Sequence, residues 1–378
     1  MINEPRLVNL FRDLCLINAP SLQEKDAVAY VHQLLKSEGF EVMEDEAGKA
    51  IGGNANNLIA WLRGNLPDAP RIFLSAHFDT VEPTAGLIFE EKDGVFYSAS
   101  DTILGADDKS GMAPAIEAVR AIKESGEPHG DVCLLFSCAE EIGLLGAAAL
   151  KIEDLGLDFG YVLDTGPPVG SFVNRTATHD KIDIEIKGRP AHAGKEPEKG
   201  INAIQVAADA ISGMTLGRIG PMTTANIGII SGGSGTNVVC PSVKLKAEAR
   251  GVDEAELDKQ VDHMLKRFES AAAKWGAEVI IDHRREYRGY EHSEGQPALD
   301  LALRASKAIG LEPELRTTLG GSDANVYNGK GIPSVVVGTG QDKIHTHDEF
   351  LRREDLINTT RLAIQLIKEA AKLSRASL

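Results

Sequence analysis

The chain has 378 residues, of which 40 are Lys or Arg and 56 are Asp or Glu, so its net charge at pH 7 is −16. This length is enough for two or three domains with sizeable cores. A negative field repels phosphate backbones and anionic lipid, so we expect neither nucleic acid nor a membrane surface as a partner.

The cysteines and the apolar runs indicate where the protein works. No stretch approaches the roughly 18 consecutive apolar residues of a membrane helix, and the N-terminus lacks the pattern of a signal peptide. The cysteines are few and lie in or beside apolar runs, which is typical of buried thiols in a reducing compartment. They are Cys15, Cys133, Cys138 and Cys240. We therefore predict a cytoplasmic protein without disulfides.

The chain opens with two amphipathic helices between residues 6 and 39, separated by a turn in which Ser21 is the expected N-cap of the second helix. Short apolar runs bounded by turn residues follow, with helical patterns such as 110–123 between some of them. The predicted strands are residues 57–61, 71–76, 132–137, 160–163 and 332–337. Strands that are apolar throughout are typical of a mostly parallel sheet covered by helices on both faces. We predict an α/β domain of this kind.

The pattern changes between residues 178 and 288. Residues 181–187 alternate strictly, a helix is predicted at 202–211, strands at 225–230 and 243–250, a charged helix at 253–274 and a last strand at 277–282. This β-α-β-β-α-β order is typical of a ferredoxin-like fold. We predict a second domain, residues 178–289, inserted into an α/β domain formed by residues 1–177 and 290–378. The chain is expected to end in a helix at 354–374.

Potential metal ligands follow four of the predicted parallel strands. A fifth set lies in the acidic loop GADDKSG, which precedes the helix at residue 110. In chain order they are His77 and Asp79, Asp107 and Asp108, Glu140 and Glu141, Asp164, and His345 and His347. Each alone has an ordinary structural explanation. Together they would meet beyond the carboxyl ends of the strands, where open α/β sheets bind ligands. We predict a metal site of histidine and carboxylate ligands, binuclear in outline.

Five blocks of sequence in this order carry a family resemblance: SAHFDTV, GADDKSG, CAEEIGLLGA, YVLDTG and IHTHDE. They resemble the cocatalytic di-zinc exopeptidases, the family of peptidase T, carboxypeptidase G, aminoacylases and succinyl-diaminopimelate desuccinylase. The resemblance covers essentially the whole chain and is closest to peptidase T-like proteins.

The resemblance implies a role for each potential ligand. Asp107 would bridge two metal ions, and Glu140 would be the general base. In the family's last block the ligand histidine stands four residues before a glutamate, which selects His345 and leaves His347 outside the ligand set. The implied ligands are His77, Asp107 and Asp164 for one ion and Asp107, Glu141 and His345 for the other. Asp79 would hold the His77 imidazole, and the peptide bond between Asp107 and Asp108 would be cis.

The inserted domain also carries family motifs. KGRPAHAG contains His192, SGGSGTNVVCP contains Asn237, and KAEAR ends in Arg250. The resemblance implies that these side chains contact substrate, and that Gly320 and Gly321 of GGSDAN allow close backbone approach to it. The alternatives are a surface turn for His192, a turn asparagine for Asn237 and a solvated arginine for Arg250.

The resemblance implies two Zn²⁺ ions per chain, with cobalt or manganese as possible metals, and hydrolysis of short peptides. We expect a tripeptide aminopeptidase, with the inserted domain acting as a lid that also forms a homodimer. One alternative is an aminoacylase, carboxypeptidase or other amidohydrolase of the same family. Another is a non-catalytic metal-binding or peptide-binding relative. A related zinc aminopeptidase with a differently folded lid is disfavoured by the β-α-β-β-α-β order.

Overall fold

The computed structural model describes residues 2–378, which form two compact units. The first unit contains the residues up to Asn174 together with Glu291–Thr317 and Ser322–Leu378. The second unit contains Arg175–Tyr290 and Thr318–Gly321. The assignment of one unit as catalytic domain and of the other as lid stays a prediction.

The described residues form ten α-helices and sixteen strands. The helices are α1 (Glu4–Leu16), α2 (Lys25–Ser37), α3 (Ala47–Ile51), α4 (Ala106–Ser125), α5 (Leu145–Ala149), α6 (Ala203–Ser212), α7 (Glu254–Trp275), α8 (Pro297–Ala308), α9 (Asp323–Gly329) and α10 (Arg353–Ala370). The strands are β1 (Glu41–Glu44), β2 (Leu58–Leu62), β3 (Ile72–His77), β4 (Phe89–Lys92), β5 (Val95–Ser98), β6 (Val132–Ser137), β7 (Phe159–Thr165), β8 (Ser171–Thr176), β9 (Thr178–Lys187), β10 (Gly217–Gly220), β11 (Thr223–Gly232), β12 (Ser242–Gly251), β13 (Glu278–Tyr287), β14 (Glu314–Thr318), β15 (Ser334–Gly338) and β16 (Phe350–Arg352).

An eight-stranded mixed sheet organises the first unit, in the order β1-β2-β6-β3-β7-β15-β8-β14. The four central strands β6, β3, β7 and β15 are parallel. The predicted α/β class is confirmed. Strand β2 is antiparallel to both of its neighbours although it is buried throughout. The apolar sequence therefore predicted this strand but not its direction, because a strand can be covered on both faces whether it runs parallel or antiparallel to its neighbours.

Helices cover both faces of this sheet, as the apolar strands predicted. Along β3, Leu74 belongs to a large core cluster that includes Ile116 of α4. The neighbouring Phe73 points to the opposite face, where its ring lies 5.5 Å from that of Tyr327 in α9. Helix α4 packs closely on β7, since a Cβ at Gly111 would lie only 2.0 Å from the carbonyl oxygen of Leu163.

The second unit is built on a five-stranded sheet in the order β10-β11-β12-β9-β13. Omitting β10, the chain runs β-α-β-β-α-β with the antiparallel pairing of a ferredoxin-like fold, as predicted. The alternation along β9 buries one face, which packs with residues of α6 and α7 in a separate core. The added strand β10 has four residues, two of them glycine, and its sequence carries no alternating pattern.

One local prediction needs correction, and one hairpin was not predicted. Ser21 does not cap α2; the helix begins at Lys25 after Glu24, and the Ser21 hydroxyl donates to Asp79 Oδ2 at 2.7 Å. A hydrogen bond to a buried carboxylate is stronger than one to a helix N–H, which explains this choice. The sequence analysis also missed the hairpin of β4 and β5, although its turn, Asp93-Gly94, is a strong hairpin signal and both residues have positive φ.

The four cysteines are buried and free, as predicted. Among residues 2–378, no helix combines the length and the apolar character needed to cross a membrane.

Candidate active site

The potential ligands lie at the carboxyl ends of the central parallel strands, where the sequence predicted them. His77 is the last residue of β3, and Asp164 is the next-to-last residue of β7. Glu140 and Glu141 follow β6, and His345 lies in the segment after β15. Asp107 enters from the start of α4, where it and Asp108 depart from helical geometry and are joined by a cis peptide bond.

Three side chains form a first group at this edge of the sheet. His77 Nε2 lies 3.3 Å from Asp107 Oδ1 and 3.9 Å from Asp164 Oδ1. Asp164 is partly buried beside the charge of Asp107, and loss of hydration first and this charge second raise its pKa well above the ordinary value. Burial lowers the pKa of His77, but its hydrogen bonds with Asp107 and Asp79 outweigh this and raise it overall.

A second group shares Asp107. His345 Nε2 lies 3.3 Å from Asp107 Oδ2 and 3.0 Å from Glu141 Oε1. Hydrogen bonds to Asp107 and then Glu141 raise the pKa of His345 to about 10. For Asp107, burial acts to raise the pKa, but the hydrogen bonds from His345 and His77 hold it below its ordinary value.

The arrangement fits a pair of divalent cations. In each group the potential ligand atoms lie within 4.8 Å of one another. Asp107 offers Oδ1 to one group and Oδ2 to the other, which is the geometry of a bridging carboxylate. Three carboxylates packed together in a partly buried site repel one another unless positive charge is present, and zinc, cobalt and manganese all accept such ligands.

Asp79 connects the two sides of the site. Its main-chain carbonyl accepts from His77 Nδ1 at 2.9 Å, which leaves His77 Nε2 facing the ligand group. Its carboxylate accepts the main-chain N–H groups of Glu140 at 2.9 Å and of Glu141 at 3.1 Å. The Asp79 carboxylate also lies 3.4 Å from His77 Nδ1, so the predicted role of Asp79 in holding the imidazole stays a prediction.

Glu140 is the predicted general base and lies next to the potential ligand Glu141. Glu140 is 9% exposed. Burial raises the pKa of Glu140 well above its ordinary value, more than the nearby His77 lowers it. A carboxyl beside a metal site is suited by its position to accept and return a proton during hydrolysis.

Three buried residues support this site and were not assigned a role from the sequence. Glu349 accepts the N–H of Gly105 at 2.7 Å and of Asp107 at 3.0 Å. Glu24 accepts the N–H of Ala139 at 2.9 Å. The third residue, Gln341, contacts two ligands directly. In the sequence, Glu349 is the glutamate that stands four residues after His345, and no motif singled out Glu24.

Two residues next to the ligands lie outside both groups. His347 Nδ1 pairs with Asp101 at 2.9 Å, on the surface. Asp108 is buried, and its Oδ2 accepts the main-chain N–H of His77 at 3.3 Å.

In the second unit, the loops that carry His192 and Asn237 are neighbours. The N–H of Ala193 donates to the carbonyl of Asn237 at 2.9 Å. His192 is exposed, and its Nδ1 accepts the N–H of Gly194 at 3.1 Å, which leaves Nε2 as the donor nitrogen. This exposure is compatible with both the predicted substrate contact and the alternative of a surface turn, so the role of His192 stays a prediction.

Arg250 and the two glycines form another group within the second unit. Arg250 donates to both oxygens of Glu248, at 3.2 and 3.1 Å, and to the carbonyl of Leu319 at 3.2 Å, next to Gly320. A Cβ at Gly321 would lie 2.1 Å from the hydroxyl of Tyr287, so this position has no room for a side chain. The role of this group toward substrate stays a prediction.

Several known proteins are similar to this chain over nearly its whole length. Aminopeptidase PepT from Bacillus cereus ATCC 10987 has 39% identity and a TM-score of 0.88, over 98% of this chain and 99% of its own. A tripeptidase from Staphylococcus aureus subsp. aureus Mu50 has 37% identity and a TM-score of 0.93, over 99% of this chain and 100% of its own. The uncharacterized protein YqjE of Bacillus subtilis (strain 168) is 39% identical over 98% of this chain and 100% of its own.

Peptidase T proteins of several bacteria match 71 to 72% of this chain, and the matched region covers 65 to 66% of their own length. The predicted likeness to peptidase T is confirmed. Residues 73–369 match the sequence profile of the peptidase family M20/M25/M40. The chain therefore belongs to the peptidase family M20/M25/M40.

Proposed function

We propose that this chain is a tripeptide aminopeptidase that uses two metal ions, with zinc as the native metal. The observation that carries the proposal is Asp107, whose two oxygens each face a separate group of histidine and carboxylate ligands beside Glu140. The similarity to an aminopeptidase and a tripeptidase over nearly the whole chain supports the substrate class.

The residues of the site divide the work of amide hydrolysis. His77, Asp107 and Asp164 would hold one cation, and Asp107, Glu141 and His345 the other. Bound divalent cations lower the pKa of a water molecule and polarise a carbonyl group. Glu140 takes a proton from the attacking water and delivers it to the leaving amine. The carboxylate of Asp79 accepts the main-chain N–H of Glu140 and so keeps Glu140 in place.

The second unit supplies the substrate contacts in this proposal. His192 Nε2 donates to the oxygen of the scissile carbonyl, where negative charge develops. Asn237, on the neighbouring loop, and the guanidinium of Arg250 bind polar groups of the peptide. Gly320 and Gly321 present main-chain groups to it.

The substrate class is tested with a panel of tripeptides, dipeptides and N-acyl amino acids, with added Zn²⁺ or Co²⁺. We expect release of the first residue from tripeptides and loss of this activity after chelation. Preferential hydrolysis of N-acyl amino acids would identify an aminoacylase, and release of the last residue a carboxypeptidase. A protein that binds peptide and metal without any hydrolysis would contradict an enzymatic function.

The free thiols support the proposed cytoplasmic location, because all four cysteines are buried and unpaired. The proposed substrate agrees with this location, since short peptides are products of protein breakdown by other peptidases.

We also propose that the chain forms a homodimer through the second unit. Strand β10 covers β11 only at Thr223–Ala225, and among the described strands residues 226–232 of β11 pair with β12 alone. This open edge has no charged residue and carries Ile229 and Ile230, each 55% exposed. The opposite edge strand, β13, carries several charges, which discourage strand pairing. The uncharged edge is the expected contact between two copies.

The variant Ile230→Lys is expected to weaken the dimer roughly tenfold or more, because a symmetric contact brings the two introduced charges together. Size-exclusion chromatography with light scattering measures the mass at several concentrations. Ile280→Lys, at an exposed isoleucine of β13, is the matched control and is expected to leave the dimer intact. A monomeric wild-type chain, or dissociation by Ile280→Lys alone, would contradict this interface.

A further inference from the structure

We propose that Gln341 is a positioning residue of the metal centre, whose side-chain amide holds the carboxylates of Asp107 and Asp164 in the orientation that a cation requires. This inference rests on the proposed metal centre. No motif in the sequence pointed to Gln341.

The contacts of Gln341 are made to the same oxygens that define the first ligand group. Its Nε2 lies 3.1 Å from Asp107 Oδ1 and 3.5 Å from Asp164 Oδ1. These two oxygens also face His77 Nε2, at 3.3 and 3.9 Å. A carboxylate oxygen can accept a hydrogen bond and still bind a cation through its other lone pair. The amide can therefore stay in contact while these oxygens act as ligands.

The carboxylates and a hydroxyl group hold the two ends of the amide. Ionised carboxylates only accept, so the NH₂ end of Gln341 faces Asp107 and Asp164. At the other end, Gln341 Oε1 lies 2.6 Å from Ser110 Oγ, which donates to it. Ser110 is fully buried in α4, and its hydroxyl also lies 2.8 Å from Thr339 Oγ1. The amide is thus held at its far end by side chains that are themselves held in place.

An amide suits this position better than a charged donor would. Two carboxylates that share a site repel each other and are stabilised there by hydrogen-bond donors. A lysine or arginine would neutralise them and compete with the metal ion for their charge. The neutral amide donates to both oxygens and leaves the full negative charge for the cation. Gln341 is 1% exposed, so water does not replace it easily.

The test is a Co²⁺ titration of the metal-stripped full chain, followed by the visible absorption of bound Co²⁺. Gln341→Leu removes both donors with little change in volume and is expected to weaken Co²⁺ binding about 10- to 100-fold, the usual effect of losing a partner of a metal ligand. Ser110→Ala keeps the amide but removes the hydrogen bond to its oxygen, so the amide is held less firmly. A smaller loss of Co²⁺ affinity is therefore expected. The melting temperature of the metal-free chain reports any general loss of stability.

The matched control is Gln365→Leu, because Gln365 also donates from Nε2 to a carboxylate, that of Glu369 at 2.9 Å, but in α10. It is expected to bind Co²⁺ like the wild type. Unchanged Co²⁺ affinity in Gln341→Leu would overturn the inference, even with a lowered melting temperature. If Gln341→Leu does not fold, unchanged affinity in Ser110→Ala overturns it. A wild-type chain that binds no Co²⁺ would contradict the metal centre itself, and the inference with it.

Discussion

Glu140→Gln is expected to lower tripeptide hydrolysis about 100- to 10,000-fold while metal binding is retained, because the variant removes a general base and no ligand. Glu140 lies outside both ligand groups. Its main-chain N–H, which Asp79 accepts, is unchanged in the variant. Glutamine also has nearly the shape of glutamate, so the loop that carries Glu141 is expected to stay in place. The measurements are kcat for a tripeptide and the metal content per chain.

A matched control separates loss of the base from a general effect of losing a carboxylate. Glu90→Gln makes the same substitution at an exposed position of β4, where the side chain accepts from the hydroxyl of Tyr97. It is expected to keep wild-type activity. If Glu140→Gln lost one metal ion, with activity falling in proportion, Glu140 would be a ligand and another group would be the base.

The sequence predicted the central sheet and the ligands that follow its strands for one physical reason. Strands buried on both faces must be apolar throughout, so a charged residue directly after such a strand is conspicuous. His77, at the end of β3, and Glu140, three residues after the end of β6, are examples, and the structure has both at the carboxyl ends of parallel strands. The shared position of these ends follows from the parallel topology alone.

The residues that support the ligands could not be predicted in this way. Glu349 contacts Asp107 from 242 positions away in sequence, and Glu24 contacts Ala139 from 115 positions away. Neither their residue type nor the spacing around them indicates which buried N–H they accept. Such contacts depend on how the loops close over the sheet, which hydrophobic periodicity does not report.

Ser21 shows the same limit on a smaller scale. A serine before an amphipathic pattern predicts an N-cap, because its oxygen can accept a helix N–H. The competing partner, the carboxylate of Asp79, lies 58 positions away and was not considered. The direction of β2 is a further case, since the burial of its five residues is the same for either direction.

The two histidines of the last block provide the second large effect. His345→Ala is expected to lose one metal ion per chain and nearly all activity, because His345 Nε2 contacts both Asp107 and Glu141 and is the only imidazole in its ligand group. Removing it leaves two carboxylates, one of them shared with the other group. Metal analysis after dialysis and kcat for a tripeptide measure the two effects.

His347→Ala is the matched control, with the same substitution two residues along the chain. His347 pairs with Asp101, whose side chain is 98% exposed, and an ion pair at such a surface contributes about 0–1 kcal/mol. The variant is therefore expected to keep both metal ions and most of its activity. The opposite result, with metal loss in His347→Ala and not in His345→Ala, would move the ligand by two residues. Among the described residues, His345 is the only histidine that contacts Asp107 Oδ2. If His345 were not a ligand, another residue would have to complete the second ligand group beside this oxygen.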